Sequence, residues 1–425
     1  MKAVILAGGK GTRVASIAAD LPKPMLPLLG KPILAWQIEA LVREGFADIV
    51  LVIGHLGHVI RDYFSDGAAF GARITYLEEK EPLGTAGALA LLKNDLSDDD
   101  FLLLGGDLLF DVDLSRFLAY HRERRGVVTV FTHPSTHLHD STALEVDGDA
   151  RVTAFLPPDG NKTRPNRTNA GLHFCSPRLL DRITEVKKTD LDREVLAPLA
   201  AAGGLFAYHS PEYVKDLGTP TRLAEGARDL ASGLVVRGNL KRPQRALFLD
   251  RDGTINRHVG LVTHPDQLEL LPRAAEAIRR LNDRHIPVII VTNQPVVARG
   301  EVGEAELASI HDKLCTLLAE RGAFVNDIFY CPHHPDGGFA GEVAALKRVC
   351  NCRKPAPGLL LQAAKKYNVD LAASFMIGDT ARDVEAGKNA GCRTAAIGDI
   401  YGADICGTDL FDCVTQILAS EDETI

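Results

Sequence analysis

The first half of the chain alternates short apolar runs with segments of helical periodicity. Each apolar run has the length of a buried strand, and the segments between them repeat apolar residues at helical spacing. The strand-like runs are 3–7, 48–54, 73–79 and 100–107, and the helical segments are 32–45 and 84–93. This alternation predicts βαβ units and a parallel sheet.

The same alternation begins again at residue 245 and continues through the second half. Strand-like runs lie at 245–253, 287–294, 326–331 and 374–379, and helical segments at 274–285, 305–322, 357–368 and 383–391. Between the halves, residues 233–244 lack periodicity and contain Gly, Pro and basic residues. We therefore predict an α/β fold with two doubly wound domains, 1–232 and 245–425, joined by a linker at 233–244.

Composition limits the partners and the compartment. A net charge of −8 without a basic run argues against nucleic acid or an anionic membrane surface. No apolar run reaches the roughly 18–20 residues of a membrane span, and the first residues do not resemble a signal peptide. The eight cysteines are too unevenly placed for an extracellular disulfide framework. We expect a cytoplasmic protein with small-molecule partners, and the sequence leaves homo-oligomerisation open.

A glycine-rich loop follows the first predicted strand. Gly8, Gly9 and Gly11 would let backbone N–H groups approach phosphate oxygens, and Arg13, after Thr12, can bind phosphate with its guanidinium. The loop is neither a Walker loop nor a GxGxxG motif. Such a loop alone is more often a tight connection, so its interpretation depends on other residues.

Three charged residues support a nucleotide site. Lys23 lies in a proline-flanked segment that could hold its ammonium against a triphosphate. Asp107 follows an apolar strand, at the end of a parallel strand where ligands bind in such sheets. Asp216 is a second candidate carboxylate. Together they suit magnesium, which prefers oxygen ligands and substrate phosphates.

These residues resemble the nucleoside-diphosphate-sugar pyrophosphorylase family over roughly residues 1–225. The GGxGTR loop and the KP that follows it carry the resemblance. The resemblance implies that the glycine loop and Arg13 bind the triphosphate and that Lys23 stabilises the α-phosphate. It also implies that Asp107 and Asp216 hold magnesium.

The resemblance extends to the loop at 81–89, EPLGTAGAL, where it places Gly84 and Thr85 near the nucleobase. Near the sugar it places Asn169, Gly171 and, on a looser match, Glu194. The implied reaction is attack of a sugar 1-phosphate on the nucleotide α-phosphorus, with loss of pyrophosphate. Positioning and charge neutralisation would carry this chemistry.

A second constellation follows the strands of the other half. Each member comes after an apolar strand or in a loop beside one, so the set should meet at one edge of the sheet. Its members are Asp250, Asp252, Thr292, Asn293, Lys354, Asp379 and Asp383. One DxD pair alone usually marks a solvated turn, but four polar clusters in this order favour a site.

Residue types suggest the roles in this second site. Asp250 would be the nucleophile and Asp252 the general acid and then base, while Thr292 and Lys354 balance charge on the phosphoryl group. The predicted magnesium ligands are Asp250, Asp252, Asp379 and Asp383. The constellation resembles the haloacid dehalogenase-like phosphatases. The short gap between Asp252 and Thr292 predicts a capless, open site.

A cysteine–histidine cluster lies between the last two strands of that set. Cys331, His333, Cys350 and Cys352 are predicted to bind a structural zinc ion in tetrahedral geometry. His334 is a competing ligand, and free buried cysteines are the simpler alternative.

The zinc loop resembles that of the heptose bisphosphate phosphatases and the related histidinol-phosphate phosphatases. That resemblance implies substrate recognition by Arg353 and by Asn293 in the TNQ segment. Pro295 departs from the family pattern, because a serine usually stands there and proline removes a hydroxyl and an N–H.

The fusion itself constrains the function. A phosphatase that destroyed sugar 1-phosphate would remove its partner's substrate, so it should spare the anomeric phosphate. The resemblances imply removal of the 7-phosphate from an α-configured heptose 1,7-bisphosphate, followed by GMP transfer from GTP to the heptose 1-phosphate. Mannose 1-phosphate, another nucleobase and a histidinol-phosphate substrate are alternatives. A non-catalytic sensor is a remote one, because the charged residues of both sites are in place.

Overall fold

The structure, a computed structural model, describes residues 1–9, 20–136, 138, 141–158 and 163–422. It divides into two compact units. Unit 1 comprises Met1–His133, Leu144–Leu156 and Asn169–Asn239, and unit 2 comprises Pro134–Ala143, Pro157–Thr168 and Leu240–Ile425. The division after Asn239 falls inside the predicted linker, where the structure has a short helix. The sequence pattern did not indicate the two early segments of unit 2, and the domain boundaries stay a prediction.

Unit 1 begins with alternating strands and helices. Its strands are β1 (Ala3–Leu6), β2 (Pro27–Leu28), β3 (Lys31–Pro32), β4 (Asp48–Ile53), β5 (Arg73–Glu78), β6 (Phe101–Gly105), β7 (Leu108–Asp111), β8 (Val128–His133), β9 (Ala143–Val146), β10 (Val152–Leu156), β11 (Thr168–Cys175), β12 (Leu205–His209) and β13 (Tyr213–Asp216). Its helices are α1 (Ile33–Arg43), α2 (Gly57–Phe64), α3 (Leu114–Arg124), α4 (Ala197–Ala201), α5 (Pro220–Ala231) and α6 (Leu234–Arg237). The predicted helix at 84–93 is instead a 3₁₀ segment, Gly87–Leu92.

The main sheet of unit 1 is mixed rather than purely parallel. β6, β1, β4 and β5 are neighbours in that order and pair in parallel. β11 then pairs antiparallel with β6. The strand order reverses between β1 and β6, so the carboxyl ends of these two strands mark the crevice where ligands bind in open α/β sheets.

Unit 2 has a simpler order of elements. Its strands are β14 (Leu247–Leu249), β15 (Val288–Asn293), β16 (Asp327–Cys331), β17 (Phe375–Gly378), β18 (Arg393–Ile397) and β19 (Ile405–Gly407). Its helices are α7 (Ala274–Asn282), α8 (Glu304–Ala319), α9 (Gly358–Tyr367), α10 (Ala381–Ala390) and α11 (Leu410–Asp422).

All pairs in the sheet of unit 2 are parallel, in the order β16-β15-β14-β17-β18-β19. This is the doubly wound arrangement, and its order reverses between β14 and β17. Apolar side chains are buried on both faces of the sheet, as expected for parallel strands covered by helices on both sides. The predicted α/β class is confirmed for both units.

Among the described residues, none of the helices combines the length and the apolar character needed to cross a membrane.

Candidate active sites

The polar residues predicted after the strands of unit 2 meet at one edge of its sheet. Asp250 follows β14, Thr292 is the second-last residue of β15, and Asp379 follows β17. They line a cavity of about 160 Å³ at the point where the strand order reverses. The other predicted residues that line it are Asp252, Asn293, Arg353, Lys354 and Asp383. All eight predicted side chains of this site therefore lie together.

A buried lysine is paired with two of the carboxylates. Lys354 Nζ lies 2.8 Å from Asp250 Oδ1 and 2.6 Å from Asp383 Oδ1. Burial alone would lower the pKa of Lys354, but the two carboxylates raise it on balance. Lys354 is therefore a fixed positive charge beside Asp250, at the place where a phosphoryl group would meet that carboxylate.

The carboxylates also repel one another. Burial raises the pKa of Asp250, and Asp383 adds to the increase while Lys354 opposes it. Burial, with the charges of Asp250 and Asp383, raises the pKa of Asp379 to about 6. A cation bound among these groups would relieve this repulsion.

Asp250, Asp379 and Asp383 form a set of donors that fits such a cation. One oxygen from each lies within 4.8 Å of the others. Asp379 Oδ1 is buried and, within the described ranges, has no hydrogen-bond partner. An all-oxygen donor set suits magnesium better than a softer metal. The carboxylate of Asp252 is not a member of this set, so its predicted ligand role stays a prediction.

Asp252 is held by a separate network that the sequence analysis did not include. Arg251 Nη2 donates to Asp252 Oδ2 at 2.7 Å, Gln294 Nε2 donates to it at 2.9 Å, and Asn256 Nδ2 donates to Oδ1 at 2.9 Å. Burial would raise the pKa of Asp252, but these donors, Arg251 above all, lower it on balance. Arg251 is fully buried. Its position between the two aspartates was the available signal in the sequence.

Two loops of the site are joined by a reciprocal pair of hydrogen bonds. Asn293 Nδ2 donates to the Lys354 carbonyl at 3.1 Å, and the Lys354 N–H donates to Asn293 Oδ1 at 3.0 Å. The amide of Asn293 thus fixes the backbone that carries Lys354. Its predicted contact with substrate stays a prediction. Thr292 Oγ1 accepts from Gln294 Nε2 at 3.0 Å, and Pro295 also lines the cavity.

Gly253 allows the close approach of Asp379 to the loop after β14. Its φ is +87°, and a Cβ atom there would lie 2.0 Å from Asp379 Oδ2. We expect Gly253→Ala to displace Asp379 and lower phosphate release by about a hundredfold, the scale of a 1 Å misplacement. Steady-state phosphate release would measure it.

Gly391→Ala is the matched control for that variant. Gly391 has the same φ of +87°, but nothing lies within 4 Å of a Cβ atom there. It should cost about 1–2 kcal/mol of stability from backbone strain and leave the rate within about twofold. Equal losses of activity in both variants would contradict the role assigned to the Gly253 contact.

Cys331, His333, Cys350 and Cys352 come together as predicted, with one donor atom from each within 4.8 Å of the others. Cys331 Sγ lies 3.5 Å from Cys350 Sγ and 3.3 Å from Cys352 Sγ, and His333 Nδ1 lies 3.3 Å from Cys352 Sγ. These separations suit four donors around one tetrahedral metal ion. Burial and Arg348 lower the pKa of His333, which favours the neutral imidazole that a metal requires.

His334 is not a member of this set of donors. Its Nδ1 accepts from the Asp336 N–H at 3.2 Å, and its ring packs against Phe339. The neighbouring Arg353 donates to the His333 carbonyl at 3.3 Å and lines the cavity. The cysteine–histidine loop therefore holds the segment that carries Arg353 and Lys354.

Unit 1 brings three of its predicted charged residues together. Lys23 Nζ forms an ion pair with Asp107 and lies 3.8 Å from Asp216 Oδ1. The antiparallel pairing of β7 with β13 sets Asp216 opposite Leu108, and the Leu217 N–H donates to the Asp107 carbonyl at 2.9 Å. Two carboxylates and an ammonium thus meet near the ends of β6 and β13. Gly11, Thr12 and Arg13 lie outside the described residues.

Glu79 is a candidate that the sequence analysis missed. A Cβ atom on Gly8 would lie 2.2 Å from Glu79 Oε2, so this carboxylate lies against the start of the glycine loop. Its other oxygen accepts from the Leu83 N–H at 3.1 Å. Burial raises the pKa of Glu79. A half-buried carboxylate between the glycine loop and the loop at 81–89 can accept hydrogen bonds from a ligand.

The loop at 81–89 is fixed to the segment that follows β11. Gly84 has a φ of +77°, and a Cβ atom there would lie 2.4 Å from the Thr189 carbonyl oxygen, so only glycine fits. Thr85 Oγ1 accepts from the Leu191 N–H at 2.7 Å. The hydroxyl of Thr85 therefore supports the loop, and the predicted position of Gly84 and Thr85 near a nucleobase stays a prediction.

The three residues predicted to contact a sugar have defined local contacts. Asn169 Oδ1 accepts from the Gly171 N–H at 2.9 Å, and its Nδ2 donates to Asp192 Oδ1 at 3.2 Å. Glu194 is exposed, and its Oε1 accepts from the Asp190 N–H at 2.7 Å. Asn169 and Glu194 thus both contact the segment 190–192, Asn169 through Asp192 and Glu194 through Asp190. Their contact with a sugar stays a prediction.

An α/β domain that gathers carboxylates and one buried lysine at the end of its central strand has the groups needed to act on a phosphate ester. Two protein families match the chain, and the matched ranges overlap at 191–233. Residues 2–233 match the nucleotidyl transferase family, and residues 191–391 match the haloacid dehalogenase-like hydrolase family. The chain therefore belongs to the nucleotidyl transferase family and carries a haloacid dehalogenase-like hydrolase domain after it, as predicted.

Individual relatives match one half each. A mannose-1-phosphate guanylyltransferase of Mycobacterium tuberculosis is 32% identical over 234 residues, which are 55% of this chain and 65% of that protein. A probable mannose-1-phosphate guanylyltransferase 1 of Oryza sativa is 34% identical over 260 residues, 56% of this chain and 71% of that protein. The D-glycero-beta-D-manno-heptose-1,7-bisphosphate 7-phosphatase of Yersinia pestis is 40% identical over 152 residues, 36% of this chain and 79% of that protein.

Proposed function

We propose that the chain catalyses two consecutive reactions on one sugar. The phosphatase half removes the 7-phosphate of D-glycero-D-manno-heptose 1,7-bisphosphate, and the transferase half joins GMP from GTP to the resulting heptose 1-phosphate. The products are phosphate, pyrophosphate and GDP-D-glycero-α-D-manno-heptose, a precursor of surface glycans. The observation that carries the proposal is the cysteine–histidine loop, because it holds Arg353 and Lys354 at the phosphatase cavity and relatives named as heptose bisphosphatases match this half.

The phosphatase reaction follows from the contacts around Asp250. An oxygen of Asp250 attacks the phosphorus of the 7-phosphate, and the bond from phosphorus to the sugar oxygen breaks. Lys354, fixed beside Asp250, and Thr292 balance the charge on the phosphoryl group. Magnesium held by Asp250, Asp379 and Asp383 would supply screening between carboxylate and phosphate.

Asp252 moves the protons. Its donors keep the carboxylate ionised in the free protein, but an incoming phosphate adds negative charge nearby and increases its affinity for a proton. Protonated Asp252 gives that proton to the leaving sugar oxygen. It then takes a proton from the water that attacks the aspartyl phosphate, and inorganic phosphate leaves.

The transferase half relies on positioning and charge. Lys23 lies where it can stabilise the α-phosphate, and Asp107 and Asp216 would hold magnesium there. The sugar 1-phosphate oxygen attacks the α-phosphorus while pyrophosphate leaves in line. We assign this activity to residues 1–232 and the phosphatase to 245–425.

The choice of GTP is supported by Glu79. The Watson–Crick edge of guanine offers two neighbouring N–H donors, and a carboxylate offers two acceptors. Uracil presents carbonyl oxygens that a carboxylate would repel. Relatives of the transferase half are named as guanylyltransferases.

We expect Glu79→Gln to lower kcat/KM for GTP by roughly tenfold to a hundredfold, because one bidentate base contact contributes about 1–3 kcal/mol of discrimination. The rate with UTP should fall far less or rise. Glu78→Gln is the matched control, since Glu78 is exposed and pairs with Arg61 instead. Equal kcat/KM losses for GTP and UTP would remove Glu79 from base selection.

The full scheme is tested by product formation. The chain is incubated with the α and β anomers of heptose 1,7-bisphosphate, and phosphate release is measured before GTP is added. Pyrophosphate release should then follow for the α anomer. The phosphatase relatives are named for the β anomer, so a β preference would overturn the anomer assignment. Better turnover with UTP or ATP would overturn the base assignment.

Mannose 1-phosphate is the second candidate for the transferase, on the names of the guanylyltransferase relatives. It differs from the heptose 1-phosphate at C6 and beyond, so a rate comparison of the two sugar phosphates decides between them.

We further propose a cytoplasmic location, with sugar phosphates and GTP as the partners.

We propose that the cysteine–histidine cluster binds zinc. The purified chain should contain about one zinc ion, and Cys350→Ala should remove it and lower both the melting temperature and phosphate release, the latter at least about tenfold. The activity falls because the cluster fixes the backbone before Arg353 and Lys354. Metal analysis, thermal unfolding and phosphate release measure these effects.

Cys406→Ala is the control, because Cys406 is exposed and lies outside the cluster. Its zinc content, melting temperature and activity should match those of the unaltered chain. Absence of zinc from protein purified without chelators would refute the assignment.

A further inference from the structure

The charges that line the phosphatase cavity separate into two groups. In the inner group Lys354 contacts Asp250 and Asp383, the buried Arg251 behind the lining contacts Asp252, and Asp379 belongs to the candidate cation site. Arg353 and Arg382 also line the cavity, and within the described part of the chain neither has a carboxylate at ion-pairing distance. The cavity therefore has an outer cationic group that, among the described residues, is not paired with a carboxylate.

The two outer guanidiniums come from different elements. Arg353 precedes Lys354 in the loop held by the cysteine–histidine cluster, and Arg382 lies in the first turn of α10, one residue before Asp383. Both guanidiniums line the same cavity. Like charges held together at a cavity cost free energy unless an anion joins them.

The inner group already accounts for the phosphoryl group that is transferred. Lys354 lies beside Asp250, where the leaving phosphate must meet the nucleophile. A second anion on the same substrate would therefore find Arg353 and Arg382 still available. Guanidinium groups bind phosphate through paired N–H donors, so two of them can hold one phosphate from two sides.

We propose that Arg382 acts with Arg353 to bind the phosphate that the enzyme retains, the anomeric phosphate of a sugar bisphosphate. The inference rests on the proposed function, in which one phosphate is cleaved and the other is kept. Arg382 contributes to binding and specificity and takes no part in the bond-breaking step. It makes the phosphatase selective for bisphosphates over monophosphates.

The test compares paired substrates. Phosphate release is measured from heptose 1,7-bisphosphate and from heptose 7-phosphate, and also from fructose 1,6-bisphosphate and fructose 6-phosphate. Arg382→Gln should raise KM for the bisphosphate and lower its kcat/KM by roughly tenfold, the effect of one charge-assisted hydrogen bond. It should change kcat/KM for the monophosphate by no more than about twofold. Arg382→Lys should recover part of the loss.

Lys388→Gln is the matched control, because Lys388 is an exposed cation on the same helix and does not line the cavity. It should leave both substrates unaffected. Equal losses of kcat/KM on bisphosphate and monophosphate, or no loss on either, would overturn the inference.

Failure of the proposed function has a different signature. If the unaltered chain turns over fructose 1,6-bisphosphate better than the heptose compound, and Arg382→Gln lowers kcat/KM for that bisphosphate but not for fructose 6-phosphate, the heptose assignment fails and the inference stands. If the unaltered chain prefers the heptose bisphosphate, and Arg382→Gln changes kcat/KM for it and for heptose 7-phosphate equally, the inference fails alone. If the unaltered chain prefers no bisphosphate over its monophosphate, both fail.

Discussion

Asp250→Asn should reduce phosphate release from the sugar bisphosphate by about 10⁴-fold or more, because removal of a nucleophile leaves only binding and charge stabilisation. The amide cannot form the aspartyl phosphate. Lys354 keeps its contact with Asp383, and removing one of three mutually repelling carboxylates should not destabilise the metal-free fold. Phosphate release and thermal unfolding, measured on the same preparation, separate lost chemistry from lost structure.

Asp283→Asn is the control for that variant, since Asp283 is exposed in the loop after α7. It should release phosphate at the unaltered rate. Phosphate release by the Asp250→Asn variant within tenfold of the unaltered chain would mean that another group is the nucleophile.

Lys23→Met should reduce GMP transfer by roughly 10²–10³-fold, the usual effect of removing one charge donor from a reacting phosphate. Lys23 is the ammonium that contacts both Asp107 and Asp216. Its loss also leaves those carboxylates without their cation, so weaker binding of the nucleotide should accompany the lower rate. Pyrophosphate release at saturating GTP measures the effect on kcat.

Lys93→Met provides the comparison, because Lys93 is an exposed lysine paired with Asp181. The Lys23→Met and Asp250→Asn variants should each lose one activity and keep the other. Lys23→Met should release phosphate normally, and Asp250→Asn should transfer GMP normally when given the sugar 1-phosphate. Loss of both activities in either variant would show that the two sites depend on each other.

Much of the fold could be predicted because buried parallel strands have nearly continuous apolar sequences. The predicted strand at 287–294 is β15, and the predicted helix at 305–322 is α8, Glu304–Ala319, to within three residues. The antiparallel entry of β11 into the sheet of unit 1 could not be predicted. The direction in which a strand joins a sheet depends on the path of the preceding connection, and the local sequence of the strand does not determine that path.

The same limit explains which site residues were found. Asp250, Asp379 and Lys354 lie directly after strands or in a distinctive motif, so their convergence could be expected from the sheet alone. Glu79 and Arg382 were missed because their relevance depends on contacts between distant loops. Glu79 is a candidate for the site only because Gly8 lies against it. A charged residue in a loop gives no such indication by itself.

The zinc proposed for the cysteine–histidine cluster would also affect how the chain folds. Cys331 and Cys350 are 19 residues apart, so a metal ion bound to both closes a loop of that length. Closing such a loop costs about 2–3 kcal/mol of chain entropy, which the metal–ligand bonds must exceed before the segment carrying Arg353 takes its place. Newly made chains should therefore acquire phosphatase activity at a rate that depends on metal supply, even after the strands of the sheet have formed.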